Sequence, residues 1–185
     1  MSVTRPAPKI PYLPDVRRVV TGHDSEGKAA VLSDEVAKPT FWSPESTSPV
    51  HDYYRTEETP AIIDSEVATG EWDDGITSNP ALVSPNGSTF RTIDLAPGQV
   101  VPMHRTQTID YGIVVKGSVV LELDNGDRRI LKEGDVFIQR GSAHSWRNET
   151  DDWVRTHFVM IGANPIHVNG ESLPAHAVGP QNPSK

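Results

Sequence analysis

His104, Asp110 and His144 are the side chains of this 185-residue chain best placed by type and spacing to do chemistry. Two imidazoles and a carboxylate gathered at one point offer either a metal site or an acid–base group. In the acid–base case, a carboxylate near an imidazole fixes its tautomer and raises its pKa, giving a base tuned close to neutrality. Such a base removes a proton beside a carbonyl, a step that leads to loss of water, loss of carboxylate or a proton shift. The chain has no Cys, so thiolate ligands, Cys nucleophiles and disulfides drop out together.

Strands must position these groups. Side chains alternate across a strand, so residues two or four apart share a face. On an unbroken strand His104, Thr106 and Asp110 point one way, Arg105, Gln107 and Tyr111 the other; further on, His144 and Trp146 share a face. Between the two His, Asp124-Asn125-Gly126-Asp127 is a hairpin turn, because Asn-Gly supplies the positive φ that primed turns need. A second tight turn falls at Lys132-Glu133-Gly134-Asp135. Residues 88–95 (STFRTIDL) alternate as a strand; with its Arg91 face inward, Arg91 can hold an anionic or enolate oxygen. Residues 154–161 (VRTHFVMI) form another, with Arg155, His157 and Val159 on one face and Thr156, Phe158 and Met160 on the other. His157 reads first as a hydrogen-bonded core or surface His, and second as a spare ligand or substrate contact. Short strands with glycine punctuation argue for an all-β sandwich or barrel.

The stretch from Pro97 to Asn148 resembles the two motifs of the cupin superfamily. In the first, G-x5-H-x-H-x(3,4)-E-x6-G, the places are taken by Gly98, His104, Thr106, Asp110 and Gly117. In the second, G-x5-P-x-G-x2-H-x3-N, they are taken by Gly134, Gln139, Gly141, His144 and Asn148, with one residue fewer after the first Gly and Gln in place of Pro. The resemblance spans roughly residues 85–165 and implies a single cupin jelly-roll β-barrel. It also implies a metal-ligand position at each motif His and at the Glu. Here Thr106 replaces the second His and the shorter Asp110 replaces the Glu. His104, Asp110 and His144 remain, the two-His, one-carboxylate set of non-haem Fe(II) centres. The pattern is similar to small single-cupin proteins, some of them near pathways for specialised metabolites.

The flanking chain is organised around that barrel. Residues 1–84 are expected to be an arm, a hairpin and loops packed on it, residues 85–165 the barrel, and 166–185 a C-terminal extension. Residues 1–15 are Pro-rich; 16–32 read as a hairpin adding strands to the barrel. Residues 39–60, dense in Pro and Ser, read as a loop whose aromatic residues pack on the outer wall. A net charge of −8 argues against nucleic acid and anionic membrane. No apolar run approaches the roughly 20 residues of a membrane span, and no secretory signal is visible. A cytoplasmic homodimer is expected, with residues 1–38 giving much of its interface.

Three functions fit these residues. The first is a divalent metal site (Fe, Mn, Ni or Zn) on His104, Asp110 and His144, serving a dioxygenase-like oxidoreductase. The second is metal-free lyase or isomerase chemistry by the same three residues on a small hydrophobic, carbonyl-containing substrate. Arg91, Thr106, Trp146 and His157 would contact that substrate. The third is a non-catalytic pocket for a small ligand.

Overall fold

A computed structural model describes residues 8, 10–44, 46–77 and 81–175; much of the Pro-rich arm and the end of the C-terminal extension lie outside them. Two antiparallel sheets face each other. The larger has six strands in the order β10 (Val136–Arg140), β7 (Thr108–Lys116), β12 (Val154–Gly162), β5 (Ser88–Leu95), β4 (Pro49–Thr56), β3 (Thr40–Phe41). The smaller runs β6 (Val100–His104), β11 (His144–Arg147), β8 (Ser118–Leu123), β9 (Arg128–Lys132). The late strand β12 lies between β7 and β5, and β11 between β6 and β8, the crossing pattern of a jelly roll. The expected all-β jelly roll is what forms. Val50, Ile93, Leu95, Val114, Val119 and Val154 make the core between the sheets.

Both turns read from the sequence are present. Gly126 closes the β8–β9 hairpin at φ 87°, with its N–H donating to the Leu123 carbonyl at 3.0 Å. Gly112 is needed for a different reason: a Cβ there would stand 2.1 Å from the Phe137 ring, so the ring of β10 lies flat on the β7 backbone. Asn148 is structural. It is buried, its Nδ2 donates to the carbonyls of Leu95, Ala96 and Asp152, and its Oδ1 accepts from Thr150.

Two expectations about the flanking chain change. The N-terminal hairpin, β1 (Arg17–His23) and β2 (Ala29–Val36), is a separate two-stranded sheet and adds no strand to the jelly roll. The loop expected at 39–60 contains β3 and β4, so the larger sheet begins well before residue 85. Pro49 heads β4, where a missing N–H does least harm, and pairing with β5 from Val50 to Thr56 outweighs the local Pro and Ser content. A short helix, α1 (Ser65–Thr69), and a C-terminal pair, β13 (His167–Val168) and β14 (Glu171–Ser172), complete the elements. Among the described residues no helix is long and apolar enough to cross a membrane.

The inward face of the larger sheet sets buried polar side chains beside its apolar core, and part of its outward face is apolar. Its inward face carries Thr89, Arg91, Thr108, Asp110, Gln139 and Thr156, all buried. The outward face of β7 and β10 carries Tyr111, Ile113, Val115, Val136 and Ile138, all exposed. The inner surface thus holds a polar patch beside its apolar core.

Candidate active site

His104 and His144 come together because β6 and β11 are neighbours in register, His144 opposite His104. Their ring centroids are 4.2 Å apart. Each ring places Nδ1 against a carbonyl two residues earlier in the chain: His104 to Pro102 at 2.8 Å and His144 to Ser142 at 2.9 Å. A carbonyl only accepts, so both Nδ1 atoms carry the proton and both Nε2 atoms keep a lone pair. Burial, reinforced by the neighbouring His104, pushes the His144 pKa down to about 4, so its ring is neutral near pH 7.

Asp110 reaches the same cavity from the facing sheet. The unbroken strand expected from His104 to Asp110 is in fact two: β6 ends at His104 in the smaller sheet and β7 starts at Thr108 in the larger. The chain crosses between sheets at 105–107, and all three inward residues still line one cavity. Asp110 is 4% exposed and its Oδ1 has no hydrogen-bond partner. Burial pushes its pKa up to about 6, against the pull of Thr108 and of the Arg91 charge. Directly across from it on β10 is Gln139, buried, with Nε2 likewise unpartnered.

Arg91 lies inward on β5, buried, with Nε donating to Asp52 Oδ1 at 2.8 Å. Its guanidinium also sits 5.9 Å over the Trp42 ring. Thr106 is buried at the cavity wall, its hydroxyl bonded to that of Thr108 at 2.7 Å. Trp146 packs edge-on to His144 and against Phe137, and with Phe158 and Met160 supplies apolar wall. Trp42 and Leu82, from loops outside the family motifs, complete the lining. Trp42 therefore faces the cavity and not the outer wall, where the sequence reading put it. The free volume is only about 50 Å³, room for a few waters, so an organic molecule must displace part of this lining.

His157 is elsewhere. It lies on the opposite face of β12 from Thr156 and Phe158, and lines a cavity on the outside of the larger sheet. Six of the seven residues singled out from the sequence, Arg91, His104, Thr106, Asp110, His144 and Trp146, share the inner cavity. Gln139 was noted only as a departure from the motif Pro. Its place opposite Asp110 depends on strand pairing, which a single sequence does not print.

The donors fit a metal only in part. Two imidazole rings lie side by side, but among the described residues no group of three or more His, Asp or Glu is placed to hold an ion, and the Thr106 hydroxyl is already committed. The set falls short of the two-His, one-carboxylate centre.

Two facing antiparallel sheets, wound in jelly-roll order around a His pair, define the class of protein. The Cupin domain family model matches residues 91–162. Over 163 residues the chain is 36% identical to the cupin-domain-containing oxidoreductase fogC of Aspergillus ruber, covering 85% of this chain and 78% of that protein. It is 32% identical to the oryzines biosynthesis cluster protein J of Aspergillus oryzae, over 86% of this chain and 90% of that one. It is 34% identical to the phomopsin biosynthesis cluster protein D of Diaporthe leptostromiformis, over 88% and 87%. The chain belongs to the cupin family.

Proposed function

We propose that this cupin is an enzyme of specialised metabolism that does acid–base chemistry on a small, apolar, carbonyl-containing molecule, with a lyase or isomerase outcome. The observation that carries the reading is the set of unspent polar atoms on one narrow cavity. These are the Nε2 lone pairs of His104 and His144, the bare Oδ1 of Asp110 and the Nε2–H of Gln139. Such atoms cost stability when buried without partners; a substrate supplies the partners. A base, His Nε2 or the Asp110 carboxylate, takes the proton beside the carbonyl. The C–H electron pair forms a C=C bond as the carbonyl π pair moves onto oxygen, giving an enolate that the Gln139 amide and the Arg91 charge are suited to stabilise. The protonated base then returns the proton to carbon or to a leaving hydroxyl. Placement in specialised metabolism rests on relatives named for biosynthesis clusters, and the small-molecule substrate needs neither nucleic acid nor membrane.

The test is exchange of α-hydrogens of small cyclic ketones in D2O, followed by NMR with chelator present. Wild-type protein is expected to accelerate exchange, and Asp110→Asn and His144→Ala to lose roughly 10²–10⁴ of the rate. Exchange no faster than buffer across the panel sinks the reading.

The second reading is a metal-dependent oxidoreductase. It is favoured by relatives named as cupin-domain-containing oxidoreductases and by the paired Nε2 atoms of His104 and His144, the donors an Fe, Mn, Ni or Zn ion would use. Elemental analysis of protein purified without chelator decides between them: near one metal per chain, lost in His144→Ala, supports the second.

A further inference from the structure

The larger cavity of this protein is not the one between the sheets. Its volume is about 560 Å³, within the roughly 300–1,000 Å³ typical of small-molecule pockets. It lies between the β1–β2 hairpin, the 63–73 segment and the outer face of β4, β5 and β12. Tyr53, Phe90 and Trp72 give it aromatic walls, and Val20, Leu32 and Ile63 aliphatic ones.

Its charges are already answered. The Arg18 guanidinium donates to the Tyr53 carbonyl and to Asp74, and also pairs with Glu35. It lies 5.5 Å over the Trp72 ring. With Glu66 and Asp73 also at the wall, nothing favours an anion. One polar group is prepared and unspent. The Tyr53 hydroxyl donates to Thr92 Oγ1 at 2.6 Å, and Thr92 Oγ1 bonds His157 Nδ1. Thr92 is fully buried and has a single proton, so with Tyr53 as donor that proton goes to Nδ1. Nδ1 is then the acceptor and Nε2 carries the hydrogen. Among the described residues that Nε2–H meets no acceptor, and Phe90 and Tyr53 stand edge-on to the ring.

We infer that this outer cavity binds an uncharged, planar, apolar small molecule carrying one hydrogen-bond acceptor, a carbonyl or ether oxygen, to which the His157 Nε2–H donates. The site is separate from the inner cavity: His157 and Thr92 alternate with Thr156, Phe158, Arg91 and Ile93, which face the other way.

The probe is 6-propionyl-2-dimethylaminonaphthalene, a planar ketone whose emission moves to the blue in apolar surroundings, titrated into the full-length protein. Saturable, blue-shifted binding of one probe per chain is expected. Leu32→Trp, which fills the cavity, is expected to abolish it. His157→Phe should weaken it roughly three- to tenfold, the loss of one neutral hydrogen bond, and Trp146→Ala, in the inner cavity, should leave it unchanged. Thermal melts verify that each variant is folded, and Val20→Phe replaces Leu32→Trp if that one is not. Absence of saturable binding by wild type overturns the inference. So does binding that survives a folded cavity-filling variant, or that disappears in folded Trp146→Ala.

Discussion

Asp110 and Gln139 stand directly opposite each other on β7 and β10, both buried, yet neither the Asp110 Oδ1 nor the Gln139 Nε2 has a partner. An acceptor and a donor on adjacent strands are held apart, each turned to the cavity. Gln139→Met keeps length and removes the amide. It is expected to stabilise the fold by about 1–3 kcal/mol, the cost of one unsatisfied buried group, while lowering turnover. Urea unfolding beside the ketone-exchange assay measures both, and a variant both less stable and fully active contradicts the role given to Gln139.

Asp110 sets a pH dependence of stability. Its folded pKa of about 6 lies above the ordinary carboxyl value of 3.8, so folding penalises the ionised form. Below the lower value both states are protonated and there is no cost. Stability falls as pH rises through the interval and stays lower above about 6, by about 3 kcal/mol. Asp110→Asn is expected to remove this slope, making the variant more stable than wild type at pH 8 but not at pH 3.5. Equal stabilities at pH 8 count against the buried, ionised carboxylate.

His144 acts in the opposite sense. Its folded pKa of about 4 lies below 6.5, so the folded state resists protonation. Stability is full above 6.5 and declines as pH falls towards 4. Histidine NMR titration should find a ring that stays neutral, with hydrogen on Nδ1, at pH 5. A His144 that titrates near 6.5 would contradict the desolvated site.

Thr106→His tests the missing ligand. It places a third imidazole at the wall shared by His104 and His144. Metal content after purification without chelator is expected to rise, at some cost in melting temperature, because Thr106 is 7% exposed and its hydroxyl bond to Thr108 is lost. No change in metal content in either this variant or His144→Ala removes the metal reading.

The apolar outer face bears on assembly. Val136 is opposite Ile113 and Ile138 opposite Tyr111 on β10 and β7. Tyr111 in turn is opposite Val159 on β12, making one continuous apolar row. The homodimer expected from the sequence is proposed to use this face together with the hairpin. Ile138→Glu should shift light scattering from twice the chain mass to one chain mass at micromolar concentration; a monomeric wild type refutes the dimer.

Much of this protein was readable from local pattern. Gly126 and Gly134 mark turns because only glycine takes their φ cheaply, and both turns stand where the sequence puts them. The alternation in 88–95 and 154–161 correctly groups Arg91 with Ile93 and Phe158 with Thr156 on shared faces, and the structure turns both faces inward. Local pattern misled where a distant strand outweighed it. Pro49 and its serines read as loop, yet pairing with β5 makes β4. The sequence pattern also says which residues share a face of a strand, but not what lies against that face.

The sequence by itself determined most of the strands, the turns between them and which side chains share a face of a strand, because backbone alternation and glycine φ preferences act within a few residues. Tertiary structure decided the rest. Only sheet pairing sets His144 beside His104, Gln139 opposite Asp110 and Trp42 over Arg91. Only the packing of the hairpin over the outer face encloses His157 in a cavity of its own. Those relationships join residues distant in the chain, and their geometry depends on how the sheets close together.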